Sequence, residues 1–146
     1  MSATEPEGAG PVAATRFEPG ESVAGAPFWA ATRERRLVLP WCAACEAPHW
    51  FPREFCPRCL APDLDWREAS GRGLVHAVSV MPKPANPSMA GRGPYAVGLV
   101  DLAEDVRMMS TFIGVAPDEV AVGQAVMATW EPLTDGRHLV VFEVEP

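Results

Sequence analysis

Cys42-Ala43-Ala44-Cys45 and, ten residues further on, Cys56-Pro57-Arg58-Cys59 decide how this chain is read. Two residues between paired cysteines let both sulfurs face one ion from a tight knuckle, and two knuckles complete a tetrahedral thiolate site. The pattern uses all four cysteines of the chain. The intervening span contains His49-Trp50-Phe51-Pro52 and has room for a short strand and its return. Four thiolates suit zinc and iron alike, and zinc is preferred because nothing else in the sequence points to electron transfer. One Zn2+ per chain is therefore expected on Cys42, Cys45, Cys56 and Cys59. With four protein ligands the ion has no open position for a catalytic water, so its expected role is structural, folding a segment too small for its own core. A rubredoxin-like redox iron is the alternative occupant.

Working outward, Pro27-Phe28-Trp29-Ala30-Ala31-Thr32-Arg33-Glu34-Arg35-Arg36 predicts a short helix, with proline suited to the first turn and Ala, Arg and Glu favouring helix. Leu37-Val38-Leu39 predicts a strand leading into Trp41-Cys42. Downstream, strands are expected at Leu64–Glu68, Leu74–Met81, Tyr95–Leu102, Val106–Ile113, Val126–Trp130 and His138–Val144. Gly71-Arg72-Gly73 marks a turn, Pro82 to Pro94 a long loop, Asp101 to Asp105 a hairpin turn, and Ala116 to Val120 a helical turn opened by proline. Gly98, inside a strand, hints at a bulge or strong bend. Leaving out the strand at 64–68, five strands with a helical turn between the third and fourth suit a small Greek-key barrel of OB type. The expected fold is mainly β: an N-terminal helix and four-cysteine zinc ribbon followed by a five-stranded OB-fold barrel. The expected boundaries are a flexible tail at 1–25, helix and ribbon at 26–66, and the barrel at 67–146.

Length and composition agree with that plan. The 146 residues amount to about one domain, and 12 glycines with 16 prolines favour short strands and turns over long helices. The net charge of −7 divides as −3 in residues 1–25, zero in 26–66 and −4 in 67–146. A zinc ribbon joined to an OB barrel suggests nucleic acid, but single-strand binders need a basic groove with stacking platforms. The barrel segment is acidic and has few aromatics, so nucleic acid is not the expected partner. Met1 to Glu7 carries no basic, apolar leader, and no apolar run approaches a membrane span, so a cytoplasmic protein with reduced thiols is expected.

Catalytic motifs are not evident. The three histidines, His49, His76 and His138, are isolated from one another in sequence, and a lone strand histidine is more often packed or solvated than catalytic. Asp101, Glu104 and Asp105 read as a solvated turn. There is no G-x-S-x-G, P-loop or G-x-G-x-x-G.

The order Phe28-Trp29, Arg33 to Leu39, Cys42-x-x-Cys45, Phe51-Pro52-Arg53 and Cys56-Pro57-x-Cys59 resembles the rubredoxin-like zinc ribbon that precedes an acyl-CoA-associated OB-fold domain. The second half is similar too, through Gly71-Arg72-Gly73, Pro94 to Leu102, Val106 to Ser110, Pro117 to Val120 and Val122-Gly123. Glu46, Leu60 and Glu104-Asp105 stand where that family usually has glycine. The resemblance implies a non-catalytic, zinc-binding accessory subunit of a thiolase-like or lipid-transfer-type thiolase-fold enzyme acting on acyl-CoA thioesters. Such a subunit helps to form its partner's CoA site, and some members are fused to hydratases. Within that role Arg72, Lys83 and Arg92 are candidates for CoA phosphates, with Arg33, Arg35 and Arg36 as a second set. Their alternative role is to keep a small domain soluble. Phe28, Trp29, Trp50 and Met89 are candidates for an exposed apolar partner face, with core packing as the alternative for each aromatic. The other readings are a stand-alone acyl-CoA-binding protein or enzyme, a nucleic-acid binder, and a purely structural module.

Overall fold

The structure is a computed structural model and describes residues 17–83, 87 and 91–146. Helix α1 (Ala26–Arg33) begins with Pro27 in its first turn, behind a turn in which Gly25 N donates to Ser22 Oγ at 3.1 Å. It is shorter than the sequence predicts, because Arg35 adopts φ 56° and turns the chain at once into the next strand. That strand, β1 (Val38–Cys42), is the centre of a three-stranded antiparallel sheet between β2 (Ala47–Pro48) and β3 (Leu64–Glu68). Trp41 pairs with Pro48 on one side, and Val38 with Glu68 on the other. The strand at 64–68 thus belongs to the ribbon sheet. It carries the chain from the second knuckle back past the first.

The remaining strands, β4 (Arg72–Met81), β5 (Tyr95–Leu102), β6 (Arg107–Ile113), β7 (Ala125–Pro132) and β8 (His138–Val144), close into a barrel of order β4-β5-β6-β8-β7. A 3-10 turn at Pro117–Glu119 sits between β6 and β7, as the proline predicts. Closure is parallel, through the β6–β8 pairs Phe112 with Phe142 and Ile113 with Glu143. The mainly β architecture, one helix, the cysteine ribbon and a closed five-stranded OB barrel match the expected fold class.

The bend anticipated at Gly98 proves to be an irregularity of the facing strand. The β4–β5 register shifts between Val75 and Ala77, at His76, while Gly98 pairs regularly with Ser110 on its other side. Gly98 is what lets the strands approach: a Cβ there would run into the Ala77 carbonyl and the Phe112 ring.

Helix, ribbon and barrel share one core. Phe28, Leu37 and Leu39 from the N-terminal part cluster with Val75, Val100, Met108, Phe112 and Phe142 from the barrel. Thr32, fully buried on α1, ties the helix to β8: its Oγ1 accepts from His138 N at 3.3 Å, and its carbonyl lies 2.8 Å from His138 Nδ1. Of the expected tail, residues 1–16 lie outside the described residues. Glu18 accepts from both the N–H and the hydroxyl of Thr134, at 2.8 and 2.9 Å. Residues 84–86 and 88–90 of the proline-rich loop, Met89 among them, also lie outside the described residues. No helix among the described residues is long and apolar enough to cross a membrane.

Candidate functional site

The two knuckles bring Cys42, Cys45, Cys56 and Cys59 together, with all four sulfurs within 4.8 Å of one another. Cys42 Sγ lies 3.6 Å from Cys59 Sγ, and Cys45 Sγ lies 3.8 Å from Cys56 Sγ. A tetrahedron with Zn–S bonds of about 2.3 Å has edges of about 3.8 Å, so the cage fits such an ion. Each knuckle closes on a residue in the left-handed region, Glu46 at φ 50° and Leu60 at φ 63°, the two positions where glycine is missing from the sequence pattern. The electrostatics favour a cation. The N–H groups of Cys59 and Arg58 draw the Cys56 thiol down to about 6, the latter lying 3.4 Å from Sγ. Bonds to the neighbouring sulfurs, that of Cys59 first, and burial push Cys45 up to about 12. One ready thiolate at Cys56 beside a Cys45 thiol that resists ionisation is a pair whose remaining proton a divalent metal displaces.

Beneath the ribbon, His49 is only 6% exposed, and neither ring nitrogen has a partner among the described residues. Burial first, then the charges of Arg53 and Arg58, lower its pKa and hold the imidazole neutral. An unpaired buried polar group costs about 1–3 kcal/mol. His49 borders a cavity of about 260 Å³ at the seam of ribbon and barrel, shared with Pro48, Trp50, Pro57, Arg58, Asp105, Val106 and Arg107.

A larger apolar groove of about 420 Å³ opens where α1, the ribbon loop and the barrel meet. Phe28, Trp29, Trp50, Phe51, Met109 and Val140 are among its walls. Phe28 meets Trp29 and Trp50 edge-on at 5.1 and 5.0 Å, and Trp50 meets Phe51 at 5.5 Å. Arg137, itself buried and bonded to Asp135 at 2.7 Å, lies 4.8 Å over Trp29 and steadies that ring. Three of the four expected partner-face residues therefore line one groove. For Phe28 the core-packing alternative holds: at 7% exposure it is core, and the Trp29 and Trp50 rings rest against it. The exposed walls are Phe51 at 58% and Met109 at 65%, which the sequence reading did not single out. Strand alternation was the available signal for Met109, since its neighbour Met108 points into the barrel.

The basic candidates do not converge. Arg72 opens β4 and Lys83 follows its end at Met81, so the whole ten-residue strand lies between them. Arg92 is paired with Glu131 at 2.9 Å. Arg33 donates to the Asp135 carbonyl at 2.6 Å, and Arg36 lies 2.9 Å from Glu34, while Arg35 is exposed at the helix end. Of the three acids expected as a solvated turn, Asp105 is exposed in the hairpin turn, while Asp101 and Glu104 have partners. Asp101 is in β5, opposite Arg107, which grips it through Nε at 2.6 Å and Nη2 at 3.2 Å. That guanidinium holds the Asp101 carboxyl below the usual carboxylate range, and His76 Nδ1 lies 2.9 Å from the same carboxylate. Glu104 accepts from Ser70 N at 2.6 Å, tying the hairpin to the entry of β4.

A four-cysteine knuckle pair, sharing a core through one short helix with a five-stranded OB barrel, defines a zinc-ribbon–OB-fold protein with cysteines positioned to bind a metal. Residues 29–65 match the family model for the ChsH2 rubredoxin-like zinc ribbon domain, and residues 66–131 match that for the ChsH2 C-terminal OB-fold domain. The chain belongs to the ChsH2 (DUF35) family. It is similar to a chain of the solved Ltp2-ChsH2(DUF35) aldolase, with 35% identity and a TM-score of 0.78, covering 87% of this chain and 98% of that one. It is 37% identical over 116 residues to a probable enoyl-CoA hydratase alpha subunit of Thermomonospora curvata, covering 79% of this chain but only 36% of the relative. It spans about a third of that subunit's length. A DUF35 domain-containing scaffold protein of Methanocaldococcus jannaschii is 26% identical over 109 residues, covering 73% of this chain and 77% of that protein.

Proposed function

We propose that this chain is a zinc-binding accessory subunit of a thiolase-fold aldolase or related thiolase-like enzyme acting on acyl-CoA thioesters. The carrying observation is its match over 98% of a chain in the Ltp2-ChsH2(DUF35) aldolase. One zinc ion per chain sits in the cysteine cage and holds the knuckles in shape. The cage has no ligand position to spare, so the ion supplies rigidity and no chemistry. The aromatic–methionine groove is the docking face, since its exposed Phe51 and Met109 offer apolar area that a partner can take from water. CoA lies across the partner and this chain, with the separated arginines as individual contacts to it. The likeness to a hydratase alpha subunit favours a second reading, in which the partner is a hydratase.

The untagged protein, purified from its native cells, is expected to elute in a stable complex with a thiolase-fold subunit identified by mass spectrometry. Met109→Glu with Phe51→Ser is expected to release that subunit while zinc content and circular dichroism stay unchanged. A wild-type protein that elutes alone refutes the reading, and a hydratase in place of the thiolase-fold subunit selects the second.

A further inference from the structure

We propose that the docking face runs on from the groove over the outward side of β4, β5 and β6, and that the same thiolase-fold subunit covers both. The inference rests on the accessory-subunit reading and adds which face of the barrel that subunit meets. The inward side of this sheet is core, where Val75, Ala96, Val100, Met108 and Phe112 are buried. An antiparallel sheet with water on its other side carries polar residues there, alternating with the core set. This sheet departs from that pattern. The register places Ala77 beside Leu99 and Leu99 beside Met109, then Ser79 beside Val97 and Val97 beside Thr111. Met81, Tyr95 and Ile113 continue the three strands on the same side. None of these residues is charged. Met109 at 65% and Ile113 at 42% are the most exposed apolar groups among them. Charge returns at the end of the face, where Arg107 grips Asp101 across β5 and β6. His76, at the β4 register shift, meets the same carboxylate. An uncharged centre with a polar border is the anatomy of a protein interface.

Continuity and area identify the occupant. Met109 belongs to both surfaces, since it walls the groove and stands in the middle of β6 on the outward side of the sheet. A subunit that covers Met109 from the groove therefore meets the sheet, and a second copy of this chain seated there would compete with it. Strands lie about 4.8 Å apart and alternate residues about 6.8 Å apart, so three strands and three rows offer about 300 Å². A stable complex takes about 800 Å² from each partner. The groove, whose large exposed apolar side chains are Phe51 and Met109, falls short of that alone, and the sheet face adjoins it.

The test measures the affinity of the zinc-loaded full chain for the co-purified thiolase-fold subunit. Ser79→Lys and Ile113→Lys each place one charge on the face, outside the groove walls. Each is expected to weaken binding at least about tenfold. Thr129→Lys makes the same change on the outward side of β7, where the neighbours Ala128 and Trp130 pack on the core. It is expected to leave affinity within about twofold. Zinc content and circular dichroism should match the wild type in all three. Should one face variant fold poorly, the other, on a different strand, decides. Wild-type affinity in the folded face variants, beside release by Met109→Glu with Phe51→Ser, overturns the sheet face and leaves the groove reading intact. A wild type that binds no such subunit overturns both. A chain that forms a dimer on its own, dissociated by Ile113→Lys, gives the face to a second copy and overturns the inference.

Discussion

Cys56→Ser is expected to abolish stoichiometric zinc binding and unfold the ribbon. Cys56 is 1% exposed, and its sulfur receives the two N–H groups that draw it toward the thiolate. A structural zinc site contributes roughly 10–16 kcal/mol of folding free energy, which matches or exceeds the whole stability of a typical domain at about 5–15 kcal/mol. The ribbon sheet cannot replace it, since β2 has only two residues and β1 and β3 five each. Damage should reach the barrel as well, because Leu37 and Leu39 belong to the common core. Metal analysis should find about one zinc in the wild type and almost none in the variant. Thermal melting should show a large drop in midpoint, reproduced by a strong chelator on the wild type. Unchanged melting without metal would contradict the structural role.

Phe142→Ala is the second large effect, at a cost of about 3–5 kcal/mol. Phe142 is fully buried, and it stands at the barrel's weakest join. The parallel β6–β8 pairing spans only two residue pairs, one of them Phe112 with Phe142, so closure depends on side-chain packing more than on ladder hydrogen bonds. Ser110 Oγ donating to the Val140 carbonyl at 2.6 Å is the nearest polar support. Denaturant unfolding should show the loss directly. Leu74→Ala, at a side chain 53% exposed, serves as the control and should stay within about 0.5 kcal/mol of the wild type.

Local chemistry was the most legible part of the sequence. Cysteine spacing located the cage, and alternation located every barrel strand to within a few residues, because both signals lie in near neighbours along the chain. The knuckle residues Glu46 and Leu60 were also readable, since a missing glycine forces another residue to take its backbone conformation. Features made by distant segments were hidden. Arg107 meeting Asp101 depends on the β5–β6 register, and the His76 irregularity depends on how β4 meets β5. Whether Phe28 packs in the core or faces a partner stayed open in the sequence, because the core it joins is completed by barrel residues far along the chain. The groove and the seam cavity each take walls from both halves of the chain, so no single stretch announces them.

The central claim is that this chain acts through a partner. The most direct measurement is acyl-CoA turnover, by release or consumption of the thioester, for the zinc-loaded chain alone, its co-purifying enzyme alone and the two together. The account predicts no turnover by the chain alone and a strong gain when it joins the enzyme, with Met109→Glu, Phe51→Ser removing the gain. Turnover by the isolated chain, or full activity of the enzyme without it, contradicts the account.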